Sequence, residues 1–202
     1  MDLILASTSP YRQRLLERLQ IPFRCESPNT DETPLPGEAP APLAARLAQA
    51  KAAAVAARHP EALVIGSDQV ASLEGALLGK PGSHLQAVAQ LEACSGKTLH
   101  FYTAVCLLGP GIDKTHTEPF TVDFRALERE EIENYLRKDT PYDCAGSFKW
   151  ESLGVALFER LTGNDPTSLE GLPLIALCRL LAESGHPVLS KTPSSSGSNS
   201  ES

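Results

Sequence analysis

Leu3 to Arg18, LILASTSPYRQRLLER, decides how the chain begins to fold. Leu3-Ile4-Leu5-Ala6 is a short apolar run bounded by polar residues, the signature of a buried strand. Ser7-Thr8-Ser9-Pro10 interrupts it, and leucines at 15, 16 and 19 then fall at helical spacing. Ser9 is a good N-cap, and Pro10 fits the first helical position, where its missing N–H costs nothing. A strand therefore hands over to a helix, ending near Gln20, through a hydroxyl-rich turn. The first-turn N–H groups and positive dipole end of that helix face whatever lies beyond the strand. With Arg12 in the same turn, the stretch describes an anion pocket suited to phosphates. Taken alone, it also describes an ordinary capped helix.

Composition narrows the classes. A chain of 202 residues can bury an ample core as one α/β domain or two small lobes. Its 42% apolar residues include no run near 18, so no membrane span is expected. The first apolar segment is four residues long with no basic flank, unlike a signal peptide. A net charge of −7 argues against a nucleic-acid polymer as partner, whereas a single nucleotide needs only a local basic patch. Five widely spaced cysteines without a CxxC pair fit reduced thiols in a cytoplasm.

Outward from the opening stretch, Pro22 enforces an extended segment through Cys25. Ser27 to Pro42 is rich in proline and acid, and its prolines, through Pro40 and Pro42, predict an exposed loop carrying Asp31 and Glu32. Leu43 to Arg58 is alanine-rich and helical, with Leu43, Leu47, Ala50 and Ala54 as one face and Lys51 in its middle. By themselves Glu32 and Lys51 read by default as solvated charges.

ALVIGSDQV, Ala62 to Val70, is the second informative stretch. Leu63-Val64-Ile65 reads as a buried strand with Gly66-Ser67-Asp68-Gln69 at its C-terminal end, where α/β sheets bind ligands. Asp68 there is either placed for chemistry or caps a turn. A hairpin around Glu74-Gly75 delivers Gly79-Lys80-Pro81, a lysine fixed in a tight turn. The pattern further predicts a helix over Ser83–Cys94 with Leu85, Val88 and Leu91 inward, antiparallel strands over 99–108 and 115–124, and a helix over 127–138. Asp143 to Ser147 is a small-residue loop, Val155 to Leu161 a strand and Ser168 to Glu183 a closing helix. From Lys191 a serine-rich tail is expected to be disordered.

No one motif decides the function; their order does. SxSPxR after the first strand, DE in the first long loop, a helix carrying Lys51, then GSD and GKP resemble the Maf family of nucleoside triphosphate pyrophosphatases. The resemblance covers roughly Leu3 to Leu181. It implies a single domain over residues 1–190, an elongated mixed sheet with flanking helices, and two lobes around a cleft, similar to the inosine triphosphate pyrophosphatases. It implies hydrolysis between the α and β phosphates with a divalent cation, Mg²⁺ or Mn²⁺. Asp68 matches the acid that takes a proton from the attacking water. Ser7, Ser9, Arg12, Lys51 and Lys80 match positions lining the triphosphate site. Glu32 matches an acidic position there, and with Asp68 it is the candidate metal ligand. A homodimer is usual among such enzymes.

Subtype follows from three departures. Members acting on dTTP and UTP tend to carry an arginine directly after SP and a threonine after SD, where this chain has Tyr11 and Gln69. AGSFKWE, Ala145 to Glu151, resembles the branch acting on N7-methylguanosine triphosphate. That base is cationic, so an aromatic Tyr11 and a carboxylate Glu151 suit it, and Gln69 can meet a base edge with donor and acceptor. Trp150 either stacks or packs. The alternatives are a dTTP/UTP pyrophosphatase and a nucleotide-binding regulator of septum formation, a process with which the family has been linked.

Overall fold

The computed structural model describes residues 2–189; Met1 and the serine-rich tail lie outside the described residues. The opening stretch forms strand β1 (Leu3–Leu5) and helix α1 (Pro10–Glu17), with Ser9 as its cap and Leu15 and Leu16 buried. The helix stops short of Gln20, which turns left-handed at φ 54°. β2 (Arg24–Cys25) lies parallel to β1, and helix α2 (Pro40–Ala56) crosses to β3 (Leu63–Leu73), also parallel to β1. Pro40 and Pro42 begin α2 instead of belonging to the loop, because first-turn N–H groups have no intrahelical acceptor to lose. The buried stripe of α2 runs through Leu43, Ala44, Leu47, Ala48, Lys51, Ala52 and Val55, leaving Ala50 and Ala54 half-buried.

β3 is the element that positions the site, and it is longer than its apolar run. Leu63 to Leu73 stays extended because β5 (Thr98–Gly109) pairs antiparallel with it from Val64 to Leu73. Along its other edge, β1 pairs only with Leu63–Ile65. β4 (Ala76–Leu78) returns through the left-handed Glu74-Gly75 turn onto Ala71–Leu73. Gly66 to Val70 consequently have a strand on one edge alone. Asp68 lies at the centre of that gap, inside a strand and not beyond the end of one.

β6 (Ile112–Phe124) pairs with β5 across Gly109-Pro110-Gly111, and β7 (Phe158–Gly163) pairs with β6, giving the order β2-β1-β3-β5-β6-β7 with β4 on β3. Helix α3 (His84–Cys94) is capped by Ser83 and buries Ala87, Val88, Leu91 and Cys94, while Leu85 is 74% exposed. Helix α4 (Arg129–Asp139) buries Ile132, Tyr135 and Leu136. The expected strand from Val155 begins instead as a 3₁₀ turn, Leu153–Leu157. The expected closing helix is broken into a 3₁₀ helix, Pro166–Glu170, and α5 (Leu174–Glu183), with Gly171 left-handed at φ 102° and Pro173 between them. Pro173 has no N–H to continue the first helix, and a left-handed glycine is a natural stop.

The long strands carry two lobes. At one end, β1 and the first half of β3 pack beneath α2 on one face and against α1 and α5 on the other. At the other end, α3 and α4 pack with Phe101, Phe124 and Phe148, whose rings meet edge to face. This is the mixed α/β, two-lobed architecture expected from the sequence.

Candidate active site

A cleft of about 820 Å³ opens between the lobes at the gap in β3. Ser7, Ser9, Tyr11, Arg12, Glu32, Lys51, Asp68, Gln69, Lys80 and Glu151 all line it, so residues from six separate stretches converge as the sequence suggested. Strand alternation sorts them, since neighbours on β3 face opposite ways. Gly66 and Asp68 face α2, whereas Ser67 and Gln69 face the Pro166–Gly171 segment. With no strand on that edge, both faces open into the same cleft.

The α2 face holds the charged cluster. Gly66 lets the helix lie directly on the strand: a Cβ there would stand 2.1 Å from the Ala48 carbonyl oxygen and 2.7 Å from the Ala52 nitrogen. That approach sets Lys51, only 5% exposed, against Asp68, 6% exposed, with Nζ donating to Oδ1 at 2.6 Å. Glu32, in the long loop, reaches the same ammonium at 2.8 Å. Burial raises the Asp68 carboxyl above the ordinary aspartate range, against the pull of Lys51 and Arg12. Glu32 is held low: burial would raise it, but Lys51, Arg12 and Lys80 together outweigh that. Three cations thus surround two carboxylates. Burial lowers the Arg12 guanidinium from its ordinary value, with Asp68 and Glu32 opposing the shift.

At the helix start two hydroxyl oxygens accept from backbone amides. Ser7 Oγ accepts from the Ser9 amide at 3.1 Å, and Ser9 Oγ accepts from the Arg12 amide at 3.4 Å. The cap therefore uses one of the N–H groups expected to be free for an anion. Arg12 is aimed by its Nε, which donates to the Gly171 carbonyl at 2.7 Å.

The other face differs from expectation at three residues. The Gln69 amide is committed: Nε2 donates to the carbonyls of Ser168 at 2.7 Å and Leu169 at 3.1 Å. Only Oε1 is left for a ligand, because the broken helix places those carbonyls against β3. Tyr11 donates its hydroxyl to Asp143 at 3.1 Å and carries the Arg14 guanidinium over one ring face at 5.0 Å. Burial, then neighbouring Cys144 and Asp143, keep that phenol neutral. Trp150 packs against the second core and is not among the described residues that line the cleft. Glu151 is exposed and lines it.

Sequence reading missed Glu170 and, although it marks Asp143–Ser147 as a loop whose backbone can approach a ligand, gives the Asp143 side chain no part; both line the cleft. A continuous helix from Ser168 would have made Glu170 one more solvated helical charge. The available signal was Gly171-Leu172-Pro173, a helix break that puts position 170 on a turn. Cys144, beside Tyr11, is no nucleophile: burial first of all pushes its thiol up to about 12.

An α/β sheet with a gap in one strand's edge, a buried acid in that gap and three cations beside it defines a two-lobed protein with a charge-lined cleft. Residues 2–184 match the family described as Maf-like protein, and the chain belongs to that family. The 7-methyl-GTP pyrophosphatase of Nitrosococcus oceani is 55% identical over 189 residues, covering 93% of this chain and 95% of that protein. Proteins of the same name from Nitrosospira multiformis and Xanthomonas oryzae pv. oryzae are 56% and 57% identical, covering 91% of this chain and 94% and 96% of their own. The solved Ham1 protein of Staphylococcus aureus covers 61% of this chain and 72% of its own at 15% identity and a TM-score of 0.45, a likeness that carries no inference.

Proposed function

We propose that this chain is a nucleoside triphosphate pyrophosphatase that hydrolyses N7-methyl-GTP to N7-methyl-GMP and pyrophosphate. The observation that carries the reading is the sorting of charge within one cleft. Arg12, Lys51 and Lys80 gather around the Asp68 side, while Asp143, Glu151 and Glu170 line the remainder, only partly offset by Arg14 and Arg18. N7-methyl-GTP has the inverse distribution, a polyanionic tail and a cationic base. The names of the relatives, matched over nearly their whole length, support the same substrate.

In this reading the three cations hold the triphosphate and offset the charge that develops as the α–β bridge breaks; removing one such group typically costs on the order of 10²–10³ in rate. Water attacks one phosphorus of that bridge, the bridging P–O bond breaks, and pyrophosphate leaves. Lys51 occupies Oδ1 of Asp68, so Oδ2 takes the proton from the water. A carboxyl raised by burial is a stronger base than a free aspartate, which suits that task.

Glu32 and Asp68 fit a divalent cation as well. Each puts one carboxylate oxygen on the Lys51 ammonium, within 2.8 Å, and keeps a second hard oxygen with which the pair would hold a divalent ion beside that ammonium. Among the described residues no three His, Cys, Asp or Glu side chains converge, so phosphate oxygens and water would complete the shell, as Mg²⁺ prefers. Bound there, Mg²⁺ or Mn²⁺ supplies Lewis-acid neutralisation of phosphate charge.

At the base, Tyr11 offers the ring face opposite Arg14, a contact worth roughly 0.5–2 kcal/mol for a cation, and Glu151 offsets the methylated ring's charge. The test is a pyrophosphate-release screen over N7-methyl-GTP, GTP, dTTP and UTP with Mg²⁺ and Mn²⁺, on wild type and Glu151→Gln. N7-methyl-GTP should be the best substrate. The variant should lose about tenfold on it relative to GTP, a fraction of the ~4 kcal/mol that two charges 4 Å apart exchange at an effective dielectric of 20. Faster wild-type turnover of dTTP or UTP overturns the substrate, and equal losses on both guanine nucleotides overturn the charge recognition.

A further inference from the structure

Between the two sides of the cleft runs a short segment that the site residues hold from both directions. Gln69 Nε2 donates to the carbonyls of Ser168 and Leu169, and Thr103 Oγ1 donates to Ser168 at 2.9 Å. Two residues beyond Leu169, Arg12 Nε donates to the Gly171 carbonyl at 2.7 Å, and Ser67 Oγ lies 2.8 Å from the same oxygen. The single residue between these anchors is Glu170. Its backbone is fixed by donors from β3, β5 and α1, and its half-buried side chain lines the cleft.

The Glu170 carboxylate has no structural partner. Among the described residues neither Glu170 nor Glu151 makes a hydrogen bond or an ion pair, although Glu170 is half-buried beside Glu151. Burial and then Glu151 raise the Glu170 carboxyl, and Arg18, the Trp150 indole and Arg14 only partly counter this. The Trp150 Nε1–H is itself buried and forms no hydrogen bond of ordinary geometry. A half-buried acid on a fixed backbone, raised by burial and by a like charge, with the Trp150 indole near it but no hydrogen bond of ordinary geometry, is unfavourable for the empty protein. Such arrangements belong to sites that a ligand completes.

We propose that Glu170 is a further specificity-determining residue, accepting the N1–H and the exocyclic N2–H of a guanine base. This rests on the reading of the cleft as a purine triphosphate site. Two parallel N–H donors are what a carboxylate's two oxygens match, and guanine presents them side by side on its Watson–Crick edge. Adenine presents an acceptor at N1, and hypoxanthine keeps N1–H but lacks the amine. The division of labour between the two acids follows from their settings. Reading an edge favours an anchored backbone and partial burial, which Glu170 has. Offsetting a delocalised charge tolerates distance and mobility, which suits exposed Glu151. Gln69 then acts chiefly as a positioning residue, since its amide holds the carbonyl that precedes Glu170.

The experiment measures kcat/KM for GTP, ITP and N7-methyl-GTP with wild type, Glu170→Gln and Glu170→Ala. ITP deletes one of the two donors from the substrate, so wild type should favour GTP over ITP by about tenfold or more. In Glu170→Gln and Glu170→Ala that ratio should fall towards one, through loss on GTP, while the preference for N7-methyl-GTP over GTP stays within about twofold of wild type. Glu151→Gln should do the reverse. Each ratio is taken on one preparation, so a change in folded fraction cancels. A GTP:ITP ratio unchanged by both Glu170 variants overturns the proposal. Failure of wild type to prefer N7-methyl-GTP over GTP would overturn the substrate reading alone, because the GTP:ITP ratio still reports on Glu170. Turnover of dTTP or UTP with neither guanine nucleotide accepted would overturn both.

Discussion

Gly66→Ala is the substitution that most directly probes how the fold builds the site. The added Cβ would stand 2.1 Å from the Ala48 carbonyl oxygen, 2.7 Å from the Ala52 nitrogen and 2.9 Å from the Ala52 Cβ, where ordinary contact begins at 3.4 Å. The clashing atoms are helix backbone, so no side chain can swing away to relieve it. β3 cannot retreat either, since β5 holds it through residues 64–73. Helix α2 must therefore lift by about 1.3 Å, judged from the shortest contact. Lys51 immediately precedes Ala52 and moves with it, which stretches a Lys51–Asp68 contact that now measures 2.6 Å.

Two effects follow with separable magnitudes. Overpacking of this kind costs roughly 1–3 kcal/mol of stability, readable as a lower midpoint in urea. Misplacement of a reacting group by about 1 Å costs on the order of 10²-fold in rate. The assay pairs equilibrium unfolding with steady-state pyrophosphate release on protein confirmed as folded. A variant that is less stable yet turns over within threefold of wild type would refute the claim that helix–strand contact sets the geometry. A variant unchanged in both would refute the packing argument itself.

Asp68→Asn preserves shape but cannot accept the proton, so kcat should fall by ~10²–10⁴ with the fold intact by circular dichroism; more than about a tenth of wild-type activity would exclude Asp68 as the base. Lys80, exposed on the turn after β4, touches phosphate and not base in this reading, so Lys80→Ala should lower kcat/KM by a similar factor for each nucleotide; a variant altering base preference alone contradicts that. Stability against acid has a separate source. Arg58 above all, with Arg24 and His59, holds Glu26 down to about 2, although burial opposes them. A depressed carboxyl contributes stability that is present above its ordinary value near 4.5 and lost as pH falls towards 2. Thermal melts at pH 7 and pH 3 should accordingly show a smaller acid-induced drop for Glu26→Gln than for wild type.

The chemistry of the site was more legible in the sequence than its geometry. Ser9, Pro10 and Arg12 could be placed at a helix start because capping is a local matter, decided within four residues. The α3, α4 and β5–β6 elements rested on periodicity and formed. Leu85, expected inward on α3, nevertheless faces out, because the buried stripe of that helix runs through Ala87, Val88, Leu91 and Cys94. β3 was truncated because its apolar run ends at Ile65, while what keeps Gly66–Leu73 extended is pairing with β5, some 35 residues away in sequence. Glu170 was hidden by the same kind of non-local control. Its neighbours look helical, and the Gly171-Leu172-Pro173 break reveals an anchored, cleft-lining turn only once Arg12 and Gln69 are seen to grip the carbonyls on either side.

That grip explains why residues of such different roles must coexist in one cleft. The gap at Gly66–Val70 exposes both faces of one strand, with Asp68 on one and Gln69 on the other, adjacent in sequence and fixed by the same backbone. Arg12 reaches from α1 to Gly171 and Gln69 from β3 to Leu169, and Ser67 and Thr103 add donors to the same segment, so the chain between them is held from both sides. In the proposed reading, phosphate and base recognition would share the anchored Ser168–Gly171 segment, so that displacing one set of contacts would move the other. On the same reading, a nucleotide lying across β3 and this segment would present its α–β bridge to Asp68 at a distance set by the fold. Such preorganisation is what lets modest individual contacts add up to large effects on rate.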